Sequence, residues 1–417
     1  MNSKKLLGLL VITLLILGSI WYLESGKVRP SGILTIGNDS IPVETGVRNT
    51  LEAQGQPSTA TLSATTTTTP TPASQLATSD RIKSKTGKYE RVKEITTPDG
   101  FINVSSGFKL ADIVGKKVTL IDFWTYSCIN CQRTTPYLNA WYEKYSAKGG
   151  SASGGKDQGL EIVGMHTPEF DFEKNYDNVA RAVKDEGIKY PVVLDNDYST
   201  WYAYKNRFWP RKYLIDIDGF IIYDHIGEGA YDETEKKIQE ALKERSLVLG
   251  LGTKIDSGAV VVKPVEIAAM SPETYFGSAR NTSLGNGVSG VTGAQSFTEP
   301  TTISPNKLYL AGTWNVTPEY AEVSNAPSKI IFQYQAKGVY FVAGSTGGLI
   351  EVEVLRDGGP LSSSVAGKDI IFRNGKSYVQ IKENRLYRLI DDESSESHRL
   401  EMIIGNSGLQ AYTFTFG

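Results

Sequence analysis

The two cysteines of the chain, Cys128 and Cys131, stand three positions apart, with isoleucine and asparagine between them. A spacing of three places both sulfurs on one face of a helix, close enough to form a disulfide. Residues 118–124 predict a strand and residues 135–145 a helix, so Cys128 would lie at a helix N-terminus. The positive end of the helix dipole stabilises a thiolate there. We therefore predict that Cys128 attacks a substrate disulfide and that Cys131 resolves the mixed disulfide.

Two other uses of a cysteine pair fit this sequence less well. A structural disulfide here would close a loop of four residues, which constrains little of the entropy of the unfolded chain. A cysteine-based zinc site or an iron–sulfur cluster needs more thiolate ligands than the chain holds. His166 and His225 end predicted strands with no third ligand apparent, so we interpret them as core or solvated histidines. The sequence thus predicts neither a metal nor a cofactor.

Asp122 is the second residue with chemical meaning, because it interrupts the apolar run VTLIDFW at residues 118–124. Burying a carboxylate is costly unless it has a partner or a role, and desolvation raises its pKa. It precedes Cys128 by six residues, so we expect it beneath the dithiol, where it could accept the proton of Cys131. The alternative is an aspartate at a strand end that bonds only to the backbone.

Composition excludes other classes of protein. The chain has 417 residues, and 44 lysines and arginines against 46 aspartates and glutamates give a net charge of −2. Nucleic-acid binding usually needs a basic surface, so we expect no nucleic-acid partner. A disulfide-stapled scaffold would need more than two cysteines.

The N-terminus resembles a membrane anchor. Residues 6–23 are uncharged and mostly apolar, follow Lys4 and Lys5, and would span about 27 Å as a helix. Trp21 and Tyr22 stand where interfacial aromatic residues are found. We predict one transmembrane helix within residues 1–23, a single-pass protein of the cell membrane and an extracytoplasmic remainder. The alternative is a cleaved signal peptide, which would also export the chain.

Residues 24–88 lack a sustained hydrophobic period and include a threonine- and proline-rich stretch, so we predict a disordered linker. Strand and helix patterns then alternate through residues 89–247, where Asp218-Gly219 predicts a hairpin between two strands. Residues 248–262 are predicted as a second linker.

Several motifs in residues 89–247 resemble one family. Residues 121–131, IDFWTYSCINC, resemble the active-site strand and helix of thioredoxins, including Asp122 and Trp124. The sequence CINCQR, with HTPEF at residues 166–170 and DIDG at residues 216–219, resembles the TlpA/ResA-like thioredoxins, and most closely the redoxin part of DipZ-type proteins.

This resemblance implies an α/β thioredoxin fold and thiol-disulfide oxidoreductase activity. It implies that Pro210 is a cis-proline beside the dithiol, although Trp209 and Arg211 flank it in place of the usual threonine after it. It also implies that Glu169 is a carboxylate tuning the cysteines, with a plain helix-start glutamate as the alternative. The partners implied are disulfide-bearing proteins, apocytochrome c among them in some relatives, and a membrane electron donor of CcdA or DsbD type. Peroxidase activity is an alternative, but residue 121 is isoleucine where the peroxidase pattern has proline.

Residues 263–417 change to about nine short predicted strands separated by glycine turns, which is typical of an all-β sandwich, here predicted as a jelly roll. DipZ-type proteins carry a carbohydrate-binding-module-like domain at this place. Trp314 and Tyr320 are then the candidates for stacking on a sugar. Three roles remain open for this domain: glycan binding, docking to a protein or the cell envelope, and structural support. A glycan- or envelope-binding protein with an accessory redox domain is the competing function.

Overall fold

The computed structural model describes residues 72–146, 157–264 and 270–417. None of the helices in these ranges is both long and apolar enough to cross a membrane. The predicted span at residues 6–23 and most of the predicted linker at residues 24–88 lie outside the described ranges.

A six-stranded sheet forms the first part of the described chain. Its strands are β1 (Gly100–Ile102), β2 (Val118–Trp124), β3 (Leu160–His166), β4 (Val192–Leu194), β5 (Arg211–Ile215) and β6 (Ile221–Ile226). They are ordered β1-β4-β3-β2-β5-β6. Neighbours β4, β3 and β2 run parallel, whereas β1, β5 and β6 pair antiparallel to their neighbours. This mixed sheet is the thioredoxin-like fold that the motifs predicted.

Helices cover both faces of this sheet. They are α1 (Pro72–Lys85), α2 (Ile129–Tyr145), α3 (Tyr176–Asp185), α4 (Ser199–Ala203) and α5 (Tyr231–Val248). Side chains of α2, α3 and α5 pack with Val118 and Leu120 on one face. Side chains from the α4 region pack with Ile121 and Phe123 on the other. Because both faces are covered, all seven residues of β2 are buried, Asp122 included.

The end of the predicted disordered linker is in fact helical. Helix α1 occupies residues 72–85, and its last turn is fixed by ion pairs to the β5–β6 hairpin. Arg81 makes two hydrogen bonds of 2.7 Å to the Asp218 carboxylate, and Lys85 Nζ lies 2.6 Å from Asp216. The linker prediction was wrong here because these partners lie more than 130 residues away, and α1 has little amphipathic pattern of its own.

The second predicted linker also packs against the redox domain. Residues 249–262 contain no helix or strand, yet Ile255 is buried. The backbone N–H of Val260 donates to the Glu235 carboxylate, and that of Asp256 donates to Gln158 Oε1. The connection between the domains therefore follows the surface formed by α2 and α5.

The last part of the described chain is a large all-β region, as the sequence predicted, and its named strands pair antiparallel. Its ten strands are β7 (Thr274–Tyr275), β8 (Gly293–Phe297), β9 (Leu308–Val316), β10 (Ala321–Ser345), β11 (Ile350–Arg356), β12 (Gly359–Pro360), β13 (Ile370–Arg373), β14 (Lys376–Ile381), β15 (Arg385–Ile404) and β16 (Leu409–Phe416). The main path runs β13-β14-β11-β15-β10-β16-β7, with β12 on β11, β9 on β10 and β8 on β9. The jelly-roll topology itself stays a prediction.

Two strands of this sheet are much longer than the sequence suggested. β10 spans 25 residues and β15 spans 20, whereas the sequence predicts only short strands in this region. Different parts of β10 pair with β9, β15 and β16. The two long strands thereby join the sheet around one apolar core.

Candidate active site

The dithiol lies at the junction of β2 and α2, as predicted. Helix α2 begins directly after Cys128, which is its N-cap residue, and the Cys131 N–H donates to Cys128 Sγ over 3.4 Å. Negative charge developing on this sulfur therefore meets a donor and the positive end of a helix. Both cysteines are free thiols.

The two thiols differ in access. Cys128 is half-buried, whereas Cys131 is only 2% exposed. Burial, together with the hydrogen bond and charge of Cys128, raises the pKa of Cys131 well above its ordinary value, and the charge of Asp122 raises it further. A substrate can therefore reach Cys128 first, and Cys131 needs a proton acceptor before it can react.

Asp122 is placed to be that acceptor. Its side chain is 2% exposed, and its Oδ1 has no hydrogen-bond partner among the residues that the structure describes. Burial raises the pKa of Asp122 to about 7, with the charge of Lys212 acting in the opposite direction. A carboxylate of this kind can exchange a proton near neutral pH. The role of Asp122 as proton acceptor remains a prediction.

Lys212 is a site residue that the sequence reasoning missed. It pairs in register with Asp122 across β5 and β2, and it is completely buried. Its Nζ donates to the Gly227 carbonyl at 3.1 Å. Burial lowers the pKa of Lys212, while the charges of Asp122 and Cys131 oppose that shift. The feature of the sequence that could have indicated Lys212 is the presence of a lysine within the strand segment at residues 211–215.

Trp124 and His166 support the dithiol from the same end of the sheet. Both are buried, their rings are 5.2 Å apart in edge-to-face geometry, and the Tyr126 ring stacks on His166 at 5.8 Å. Burial lowers the pKa of His166 to about 3, so the imidazole stays neutral. His166 is a core residue, as interpreted from the sequence, and His225 contacts the Glu228 carbonyl at a strand end.

Pro210 has the conformation that the family resemblance implied, because the Trp209–Pro210 peptide bond is cis. Pro210 is buried and directly precedes β5, which pairs with the active-site strand β2. The Trp209 indole donates to the Thr167 carbonyl at 2.9 Å and lies 4.3 Å from the Trp201 ring. Trp209 is therefore anchored in the domain rather than free at its surface.

Glu169, which we expect to tune the dithiol, lies at a contact between the domains, and its role at the dithiol stays a prediction. Its carboxylate binds residues of the C-terminal sheet region: Tyr275 through the hydroxyl at 2.9 Å and Arg280 through the guanidinium at 2.7 Å. The Glu169 carboxylate therefore joins the redoxin-side residues to the C-terminal sheet region.

Glu173, four residues later, is the carboxylate that supports the turn before Cys128. It is completely buried and accepts hydrogen bonds from the Ser127 hydroxyl (2.6 Å), the Ser127 N–H (3.2 Å) and the N–H groups of Glu169 and Phe170. Burial, with the nearby charge of Glu169, raises the pKa of Glu173. No sequence pattern distinguished it from the other acidic residues near it.

The C-terminal sheet packs directly against the dithiol motif. Ile129, which follows Cys128, is 3% exposed and belongs to one buried cluster with Tyr340, Val342, Leu386 and Tyr412. On the same side of the motif, Tyr126 donates to the Asn384 carbonyl at 3.2 Å. The C-terminal region thus forms part of the surroundings of the active site.

The structure does not support the proposed sugar platform. Trp314 is fully buried in the apolar core, and its indole donates to the Ala311 carbonyl at 3.0 Å, so it offers no free ring face. Tyr320 is half-buried and packs on Tyr412 at 5.0 Å. The expectation for Trp314 was wrong because aromatic residues on strands more often fill cores.

Three carboxylates of the described residues lie close enough together to hold a metal ion. Oxygens of Asp216, Asp218 and Glu244 lie within 4.8 Å of one another. Lys85 Nζ occupies their centre, at 2.6 Å from Asp216, 3.0 Å from Asp218 and 2.6 Å from Glu244. The chain thus supplies its own cation to this group, which holds helix α1 at the end of β5 away from Pro210.

Comparison with known proteins agrees with this architecture. A family model described as Redoxin matches residues 103–242, and one described as Thioredoxin like C-terminal domain matches residues 271–417. Protein DipZ of Mycobacterium tuberculosis is 35% identical over 331 residues, which are 77% of this chain and 43% of DipZ. The chain therefore spans less than half the length of the DipZ proteins that it matches.

Smaller relatives match the redox domain. Thiol-disulfide oxidoreductase ResA of Bacillus thuringiensis is 30% identical over 146 residues, 33% of this chain and 73% of ResA. YkuV of Bacillus subtilis, also a thiol-disulfide oxidoreductase, is 26% identical over 132 residues, 32% of this chain and 82% of YkuV. The solution structure of an oxidised thioredoxin-like protein covers 38% of this chain and 98% of its own, at 23% identity and a TM-score of 0.33.

The dithiol at the β2–α2 junction, the buried aspartate beneath it and these relatives lead to one conclusion. The chain belongs to the TlpA/ResA-like family of thioredoxin-fold thiol-disulfide oxidoreductases, with a DipZ-type pairing of a redoxin domain and a thioredoxin-like C-terminal domain.

Proposed function

We propose that this protein is an exported, membrane-anchored thiol-disulfide oxidoreductase that reduces or exchanges disulfides in extracytoplasmic proteins. One observation carries the proposal: a half-buried Cys128 at a helix N-terminus, hydrogen-bonded by Cys131 N–H and backed by a buried acid. A nucleophilic thiol, a resolving thiol and a proton acceptor are the groups that disulfide exchange requires.

The first step is attack on the substrate. Cys128 Sγ, as a thiolate, attacks one sulfur of the substrate disulfide, forming a mixed disulfide as the substrate S–S bond breaks. The displaced substrate sulfur leaves as a thiolate and takes up a proton. The helix N-terminus at Cys128 favours this step because it stabilises negative charge on the attacking sulfur.

The second step resolves the mixed disulfide. Cys131 gives its proton to Asp122 and attacks Cys128 Sγ, which expels the second substrate sulfur and closes the Cys128–Cys131 disulfide. The substrate has then gained two electrons and two protons, and the protein dithiol has lost them. Run in reverse, the same steps oxidise a substrate dithiol, and the direction follows from the two reduction potentials.

A reductant must restore the dithiol after each turnover. We propose a membrane electron donor of CcdA or DsbD type, since such a donor would supply the two electrons outside the cytoplasm. Apocytochrome c is a candidate substrate, because the family resemblance implies it. The apolar segment at residues 6–23 would hold the redox domain beside that donor.

Disulfide reduction by the purified chain tests this proposal. The dithiol form should reduce insulin, detected as precipitation of the free B chain, and both Cys128→Ser and Cys131→Ser should fail to do so catalytically. A matched control is Glu143→Gln, an exposed change at the far end of α2. An unchanged rate in Cys128→Ser would refute the assignment.

A further inference from the structure

A cleft of about 340 Å³ lies between the redoxin domain and the C-terminal sheet region. This volume is within the range of about 300–1,000 Å³ typical of ligand sites. We call it the interdomain cleft; the residues used below are Tyr126, Gln132, Asp185, Glu186, Lys368 and Arg388.

Some charges of the interdomain cleft neutralise one another. Arg181 pairs with Glu383 at 3.4 Å, and Arg385 pairs with Asp369 at 2.9 Å. Each pair leaves no net charge in the cleft.

The remaining charges are divided by domain. Asp185 and Glu186, at the end of α3, make no ion pair within the described residues, and neither does Lys368 on the C-terminal side. Arg388 Nε on β15 is buried without a hydrogen-bond partner in the same ranges. An acidic wall on the redoxin domain therefore faces a basic wall on the C-terminal domain. Burial raises the pKa of Glu186, while the charges of Arg388 and Lys368 act in the opposite direction. The acidic and basic walls therefore interact electrostatically.

The basic wall is bonded to the dithiol motif. Arg388 Nη2 donates to Gln132 Oε1 at 3.2 Å, and Gln132 Nε2 donates to the Tyr126 carbonyl at 2.9 Å. Gln132 stands four residues after Cys128, which is about one helical turn, or roughly 6 Å along the axis. The wall of the cleft at Gln132 is thus about one helical turn from the nucleophilic cysteine.

We propose that the interdomain cleft binds the polypeptide segment carrying the substrate disulfide and selects a segment with a basic and an acidic side chain on opposite sides. The inference rests on the proposed function and names its substrate class. An extended segment projects successive side chains to opposite sides. A Lys-Glu neighbour pair would then present its cation to Asp185 and Glu186 and its anion to Lys368 and Arg388. Such electrostatic complementarity sets specificity between competing partners.

The test compares three disulfides with the full chain in its dithiol form. One is a peptide disulfide with Lys-Glu next to its cysteine, the second is the same peptide with Gln-Gln there, and the third is hydroxyethyl disulfide. We expect kcat/KM for the Lys-Glu peptide to exceed that for the Gln-Gln peptide by about tenfold, mainly through KM.

Variants with altered charges test whether the preference for the Lys-Glu peptide arises in the interdomain cleft. Glu186→Lys combined with Lys368→Glu, and separately the milder Glu186→Gln with Lys368→Gln, should bring the ratio of the two kcat/KM values close to one. The matched controls Glu143→Lys and Lys307→Glu change exposed residues outside the cleft and should keep the tenfold ratio.

Two outcomes would overturn the inference. Equal kcat/KM for the two peptides in the unmodified chain would do so, as would a ratio that survives in both cleft variants. Reduction of none of the three disulfides, hydroxyethyl disulfide included, would instead refute the proposed function and this inference with it.

Discussion

Asp122 and Lys212 occupy the same register position on neighbouring strands, and both are buried beneath the dithiol. Directly paired residues of antiparallel strands point to the same face of the sheet, so acid and base share one low-dielectric site. Burial raises the pKa of Asp122 to about 7 and lowers that of Lys212. Proton affinities that converge in this way suit a group that must accept and return a proton during each turnover.

Asp122→Asn should slow the resolution of the mixed disulfide by about 100-fold at pH 7, because a positioned proton acceptor typically contributes 10²–10⁴-fold. The rate in the unmodified chain should fall as pH drops below about 7, since Asp122 then becomes protonated. The variant should lose that dependence. Rapid-quench measurement of mixed-disulfide decay from pH 5 to pH 9 would show both effects, with Glu143→Gln as the control. A variant with the original rate and pH profile would rule out Asp122 as the acceptor.

His166 should make the fold acid-sensitive. Because burial lowers the pKa of His166 to about 3 from 6.5, the folded imidazole stays neutral while the unfolded one takes up a proton. Stability is therefore fully present above pH 6.5 and is lost as the pH falls from there toward 3. At pH 5 the loss should be roughly 2 kcal/mol.

His166→Phe keeps an aromatic ring against Trp124 and Tyr126 and removes the proton. The difference in free energy of unfolding between the two proteins, measured in urea, should shift in favour of the variant by that amount between pH 7 and pH 5. A difference that does not change with pH would contradict a buried, neutral His166.

Glu173→Gln should lower the free energy of unfolding by about 2–4 kcal/mol. The amide would face four donors, three of them in buried hydrogen bonds, with one acceptor oxygen, and each unsatisfied buried group costs about 1–3 kcal/mol. Hydrogen exchange at Ser127 should also become faster, because its N–H loses a partner. Glu169→Gln, whose Arg280 partner is 40% exposed, should cost only about 1 kcal/mol. Equal losses in the two variants would contradict the distinction between these carboxylates.

The parts of the fold that depend on local pattern were predictable. The apolar run at residues 118–124 became strand β2 with its stated bounds, and Asp218-Gly219 lies in the turn between β5 and β6. The dithiol was placed correctly because a strand followed by a helix is visible in neighbouring residues. Asp122 was visible because a charge stood out in an apolar run.

The parts that depend on distant partners were not predictable. Helix α1 is held by Asp216, Asp218 and Glu244, and Ile129 is buried by residues more than 200 positions away. The segment DDESSES at residues 391–397 lacks apolar periodicity, yet it lies within β15, where Asp391, Glu396 and Ser397 pair with residues of β10. Neither local propensity nor hydrophobic pattern encodes such contacts.

In the proposed mechanism, Cys128 attacks substrate disulfides and Cys131 resolves them. The direct measurement is the intact mass of the Cys131→Ser chain after incubation with a peptide disulfide, with Cys128→Ser as the matched control. We predict a stable adduct of one half-peptide on Cys128, released by dithiothreitol, and no adduct on the control. The absence of an adduct on Cys131→Ser, or an equal adduct on Cys128→Ser, would refute this assignment of the attacking and resolving thiols.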